Sequence, residues 1–270
     1  MKIFHNESIC IGKDGTIKEN GDHIYDGENF KAVFDGATPK GNQLWKGLPG
    51  DVYASRVLCE AMVNIDPTVS PSGLIAYLND VIKKCYDEKN VSFDELAPEE
   101  RLQVSTIIYS RYWREVWSFG DCNVKINDTT IKHTRAGDKL LSDLRAFYTE
   151  LYILKHGNVI GEDPGRKAIL PLLKEFPSMA NQAGEFGYDV INGGDICPAN
   201  VIRYSVNLGD RIILASDGYT ELFDTLEETE NHLFELLKKD PLCIKELRGT
   251  KGVRPGNQSF DDRSYISFFV

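Results

Sequence analysis

The chain has 270 residues, 41% hydrophobic and 27% charged, with a formal net charge of −10 and a pI of about 5.1. That composition is ordinary for a globular protein able to bury about three quarters of its unfolded surface, and the acidic balance argues against nucleic acid as a partner, because backbone binding needs a basic face. Nothing approaches the roughly 18 apolar residues that span a bilayer, and Met1 to Ile11 lacks the apolar core of a signal peptide, so a cytoplasmic protein without membrane contact is expected.

In chain order, Lys2 to Ile11 reads as a first strand. His23-Ile-Tyr25 and Phe30 to Phe34 flank Asp26-Gly27 as the arms of a hairpin. Helical spacing of apolar residues runs through Asp51 to Ile65 and Leu74 to Tyr86, with Pro67 and Pro71 between. Strands rich in β-branched and aromatic residues follow at Val104 to Tyr112, Glu115 to Phe119 and Cys122 to Asn127. Helices are predicted over Asp138 to Lys155, closed by Gly157, and over Gly165 to Phe176. Further strands are predicted at Tyr188 to Asn192, Val201 to Val206 and Arg211 to Ala215, then a helix over Leu226 to Lys238 and a last strand over Ser264 to Val270. Grouped strands and grouped helices, without strict alternation, indicate an α+β fold with helices outside antiparallel sheets. No linker divides the chain, so residues 1–270 read as one domain. The six cysteines show no Cys-x-x-Cys spacing and read as reduced core residues, and the five histidines show no His-x-x-x-His pair.

Four short pieces carry the chemistry. Phe30-Lys-Ala-Val-Phe-Asp35-Gly36 and Arg211-Ile-Ile-Leu-Ala-Ser-Asp217-Gly218 each deliver an aspartate at the end of an apolar strand, followed by glycine. Gly120-Asp121 lies between two strand-like runs, and Asp261-Asp262 precedes the last strand. Hard cations such as Mg²⁺ and Mn²⁺ prefer carboxylate, carbonyl and water oxygens, and rigid strand ends hold such ligands still. Asp-Gly is also the commonest turn dipeptide, and Asp14-Gly15 and Asp26-Gly27 read as turns only.

The set and its order resemble the metal-dependent type 2C Ser/Thr phosphatase family, in the style of its single-domain bacterial members. That family runs from Asp-Gly through Gly-Asp-Ser and Ser-Asp-Gly to Asp-Asn or Asp-Asp. The separations here are 121 − 35 = 86, 217 − 121 = 96 and 261 − 217 = 44 residues. The resemblance covers the chain from about Asn20 to the C-terminus. It implies a four-layer α-β-β-α sandwich and a monomeric phosphoprotein phosphatase using two or three Mg²⁺ or Mn²⁺ ions. Asp35 would bridge two metals, the Gly36 carbonyl would bind one of them, and Asp217 and Asp261 would complete the first. Asp121 with Asp217 would hold a third metal, and Asp22, in Asn20-Gly21-Asp22, would orient metal-bound water. The implied reaction is in-line attack on phosphorus by a metal-bridging hydroxide, with no covalent intermediate.

Three departures bear on this. Gly21 supplies no carboxylate where the family has Glu or Gln, although Glu19 is adjacent. Asp35-Gly36-Ala37 lacks the histidine proposed as general acid in many eukaryotic members. The family's phosphate-binding arginine is missing from Gly15-Thr-Ile-Lys18, leaving Lys18 as the basic candidate, a point charge where the family has a bidentate group. Phe186, Tyr188 and Asp195 lie where the family has a substrate flap, although core packing and a surface turn also account for them. The alternatives are a regulatory pseudophosphatase and a phosphatase acting on phosphorylated small molecules.

Overall fold

The computed structural model describes residues 6–18 and 20–270, so Glu19 and the start of the expected first strand, Lys2 to His5, lie outside the described residues. Among the described residues, ten strands form two antiparallel five-stranded sheets. One has the order β2(Asp22–Asp26), β3(Phe30–Gly36), β4(Val104–Ser110), β5(Glu115–Phe119), β8(Ile202–Ser205). The other has the order β1(Glu7–Ile11), β10(Arg263–Phe269), β9(Arg211–Ala215), β6(Asn123–Ile126), β7(Thr129–Ile131).

Alternation along the strands assigns the layers. Val33, Ile107, Tyr109 and Val116 from the first sheet meet Val124, Ile212, Leu214, Ile266 and Phe268 from the second in a core between the sheets. The opposite face of the first sheet, with Phe30, Ala32, Phe34, Ile108 and Trp117, is covered by α1(Gly50–Ala61) and α2(Pro71–Lys89) through Leu58, Leu74, Leu78 and Ile82. The outer face of the second sheet, with Ile213, Ala215 and Tyr265, is covered by α5(Leu226–Lys239) through Leu233 and Leu237. These layers make the expected α-β-β-α sandwich. A further pair, α3(Ala136–His156) and α4(Pro164–Glu175), shares its own small core of Leu141, Ile169 and Leu173.

Local chemistry sets the helix ends. Pro71 occupies the first turn of α2 and the Ser70 hydroxyl accepts the Gly73 N–H at 3.1 Å, while Asn90 closes the helix at φ 54°. Asp163 caps α4 through the Arg166 N–H at 2.8 Å, and Thr225 caps α5 through the Glu228 N–H at 3.1 Å. The predicted helices and most strands form within a few residues of their expected bounds. Tyr188 to Asn192 differs: it makes isolated bridges only, Ala180 with Tyr188 and Val104 with Ile191. It meets β4 only at Val104, past the point where β5 leaves that strand at Phe119, so a single bridge forms there. The short β7, with its three residues and one neighbour, carried too little pattern to be anticipated. No helix among the described residues is long and apolar enough to cross a membrane, and the six cysteines are free thiols.

Candidate metal centre

Antiparallel pairing brings the four acidic pieces to one edge of the sandwich. Asp22 opens β2 directly opposite Asp35 near the end of β3, and Asp35 is opposite Ser105 near the start of β4. β5 ends beside Thr106, so the Gly120-Asp121 turn falls at the same edge. In the other sheet Ala215, at the end of β9, lies between Asn123 and Tyr265, which places Asp217 beside the Asp121 turn and the Asp261-Asp262 pair. Alternation puts Asp35 on the face of β3 that carries Val33, the face turned toward the second sheet.

Asp35, Asp121 and Asp217 each offer a carboxylate oxygen within 4.8 Å of the others. The Asp217 N–H donates to Asp35 Oδ2 at 3.3 Å. Asp121 Oδ1 accepts from the Ser105 hydroxyl at 2.6 Å and from the Arg135 guanidinium at 2.8 Å. Two glycines permit this closeness. A Cβ on Gly36 would stand 2.6 Å from the carbonyl oxygens of Asp51 and Gly21, and Gly120 adopts φ 120° with Ser105 Cα 2.8 Å from its missing Cβ.

The charges are unbalanced. Burial raises the carboxyls of Asp22, Asp35 and Asp217 well above the usual carboxylate range, and mutual repulsion adds to it. Asp217 touches solvent, yet the surrounding protein and its neighbours Asp35 and Asp121 still disfavour its charge. Asp261 behaves oppositely: against the cost of burial, Lys251 and Lys13 hold it below the ordinary value. Asp22 is 2% exposed and its Oδ2 has no hydrogen-bond partner. Crowded carboxylate oxygens, one of them buried and unpartnered, are the donor set that a hard divalent cation takes, so the residues present fit Mg²⁺ or Mn²⁺.

The neighbours divide into props and free groups. Asp262 is a prop: its Oδ1 accepts the Lys13 N–H at 2.8 Å, and its Oδ2 accepts from Lys13 Nζ at 3.0 Å and from the Gly21 N–H at 3.3 Å. Asp51, buried at the start of α1, fills the space beside Gly21, where an added Cβ would lie 3.2 Å from its Oδ2. Lys18 is exposed on the turn after β1, its N–H on the Thr16 hydroxyl. Phe186 is exposed, whereas Tyr188 stacks under the Arg135 guanidinium, 4.3 Å from the ring centroid. Asp195 lies on a separate groove with Asn79, Lys83 and Phe93.

Sequence reasoning did not single out Arg135, Lys251 or Asp51. Arg135 and Lys251 lie in no strand-end motif, and Asp51 read as an ordinary acidic residue in a first helical turn. Lys251 Nζ stands 2.6 Å from Asp261 Oδ1 and 3.2 Å from the Thr38 hydroxyl. Burial, together with Lys251 and Arg166, lowers the nearby Lys40 ammonium to about 8.

The whole chain is similar in fold to solved serine/threonine phosphatases. The S. agalactiae serine/threonine phosphatase matches with a TM-score of 0.50 and 12% identity, over 98% of this chain and 100% of that one. The catalytic domain of the serine/threonine phosphatase PstP in complex with two manganese ions matches at 0.49 and 14%, over 98% of each chain. The PPM Ser-Thr phosphatase MsPP from Mycobacterium smegmatis matches at 0.48 and 12%, over 99% of this chain and 98% of that one. No family model and no curated protein matches the chain. The match at 0.50 shows that the chain shares the fold of that serine/threonine phosphatase.

Proposed function

We propose that this protein is a Mg²⁺- or Mn²⁺-dependent phosphatase acting on phosphoserine and phosphothreonine in proteins. The observation that carries the reading is the convergence of Asp35, Asp121 and Asp217 within 4.8 Å at the sheet edge, on the fold of phosphatases. In this reading Asp35, the Gly36 carbonyl, Asp217 and Asp261 hold two ions, and Asp121 with Asp217 holds a third. The ions supply the charge that activates water at neutral pH and stabilises the phosphoryl oxygens.

The chain's own residues do the positioning. The Asp217 N–H fixes the rotamer of Asp35, and the strand ends keep the carboxylates from spreading apart. Asp22, whose Oδ2 is buried and unpartnered, accepts a hydrogen bond from the attacking water and aligns it opposite the leaving alkoxide. Asp121 arrives already paired with Arg135, so the third position starts with part of its charge neutralised. That pairing favours a third ion bound more weakly than the other two.

Hydrolysis of p-nitrophenyl phosphate by the purified chain, with Mn²⁺, Mg²⁺ or EDTA, tests the reading beside Asp35→Asn and Asp217→Asn. Metal-dependent turnover lost in both variants supports it, and no turnover with either ion overturns it. Comparing a phosphopeptide with sugar phosphates then separates protein from small-molecule substrates. Greater kcat/KM on the phosphopeptide is expected.

A further inference from the structure

The cations around the acidic cluster differ in how they are held. Lys13 spends its ammonium and its backbone N–H on Asp262, and Arg135 spends its guanidinium on Asp121 and Ser105. Lys251 is different. Its ammonium reaches Asp261 and the Thr38 hydroxyl from a loop, and that loop is fixed from behind with unusual thoroughness.

The fixing comes from α3 and α4. Arg145 of α3 is fully buried, and its guanidinium donates to three loop carbonyls: Leu242 at 2.7 Å, Cys243 at 3.0 Å and Gly249 at 2.9 Å. Its remaining donors bind Asp163, the cap of α4, at 2.6 and 2.9 Å. Arg166 of α4 donates to the Thr250 carbonyl at 2.7 Å, on the residue before Lys251. On the residue after it, a Cβ on Gly252 would stand 2.8 Å from the Leu242 carbonyl oxygen and 3.1 Å from Arg145. A buried arginine bound to three carbonyls of one loop leaves that loop little freedom, and a flexible lysine stem gains a fixed origin.

An ammonium carries three donors, and among the described residues two partners are in place, Asp261 and Thr38. One of these, Asp261, is a carboxylate that the proposed function assigns to a divalent ion. Once Asp261 shares its charge with an ion, the ammonium keeps its position beside the cluster and lacks a full counter-charge. A phosphoryl oxygen restores it.

We infer that Lys251, with the Thr38 hydroxyl, anchors the phosphoryl group of the substrate, and that α3 and α4 act as the clamp that presents Lys251 to it. This rests on the phosphatase reading. It moves the basic contact from Lys18, exposed on the turn after β1, to a residue more than two hundred positions away in sequence. It also gives a role to the helix pair between Asp121 and Asp217. Lys251 is a binding residue. Arg145 and Arg166 are positioning residues.

The test compares the wild-type chain with Lys251→Ala and Lys251→Arg, each with its fold checked by melting. Mn²⁺ binding is measured by calorimetry. Binding of inorganic phosphate to the Mn²⁺-loaded protein is read from paramagnetic broadening of its phosphorus resonance, and from competitive inhibition of p-nitrophenyl phosphate hydrolysis. Loss of one charge-assisted hydrogen bond should weaken phosphate about ten- to hundredfold in Lys251→Ala, raise KM in parallel, and leave Mn²⁺ binding no weaker. Lys251→Arg should recover most of the phosphate affinity. Phosphate affinity in Lys251→Ala within twofold of wild type, with Mn²⁺ bound, overturns the anchor. If Mn²⁺ binding tightens at the same time, the lysine is only a counter-ion for Asp261. Failure of the wild-type chain to bind Mn²⁺ overturns the phosphatase reading, and the anchor with it.

Discussion

Replacing Asp35 by Asn should stabilise the metal-free protein while removing most of the stabilisation that metal confers. Asp35 lies within 4.8 Å of carboxylate oxygens on both Asp121 and Asp217. Two unit charges at that separation repel by about 3 kcal/mol at an effective dielectric constant of ~20. The Asp217 pair is discounted because that residue touches solvent, and the Asp121 pair because Arg135 already neutralises part of its charge. Partial protonation of the raised carboxyls lowers the sum further, leaving a net gain of about 2 kcal/mol, or about 4 °C in melting temperature for a chain of this size. Asn keeps an oxygen for the Asp217 N–H, so little is lost in exchange.

The pH dependence fixes the sign. Asp22, Asp35 and Asp217 have folded-state values raised above the unfolded value, so metal-free wild type is best off at low pH and loses stability as pH rises through the raised range. Melting in EDTA should therefore show wild type and Asp35→Asn close together at pH 5 and the variant higher at pH 8. Saturating Mn²⁺ at about a hundredfold its Kd adds about 2.7 kcal/mol to wild type and much less to the variant. A variant that melts below wild type at pH 8 without metal, or that gains as much from Mn²⁺, would refute the claim that these carboxylates form one repulsive site.

Other outcomes follow from single contacts. Arg135→Met should destabilise the metal-free protein by about 3–5 kcal/mol in denaturant titration, because it leaves Asp121 buried without its partner, and Mn²⁺ should recover part of the loss. Gly36→Ala should lower both the denaturant midpoint and Mn²⁺ affinity, since the added methyl meets two carbonyl oxygens and must push β3 away from α1. Leu78→Ala, fully buried between α2 and the first sheet, should cost about 2–5 kcal/mol while leaving Mn²⁺ affinity in the folded fraction unchanged.

Much of this protein was legible in its sequence. Alternation and β-branched content marked β3, β5, β9 and β10, helical spacing marked α1 to α5, and the aspartates at Asp35, Asp121, Asp217 and Asp261 stood out because each ends or precedes such a strand. Those are local patterns, each set by a few adjacent residues. The sequence could not reveal which strand ends meet. That was decided by the pairing order of the two sheets, which carries Asp22 opposite Asp35 and brings Asp217 to Asp121 across 96 residues. Nor could it mark Arg135, Asp51 or Lys251, whose side chains are ordinary in isolation. A buried charge gains its meaning from the partner that offsets its desolvation, and for Lys251 that partner, with the Arg145 clamp behind it, exists only after α3, α4 and the 242–252 loop have packed together.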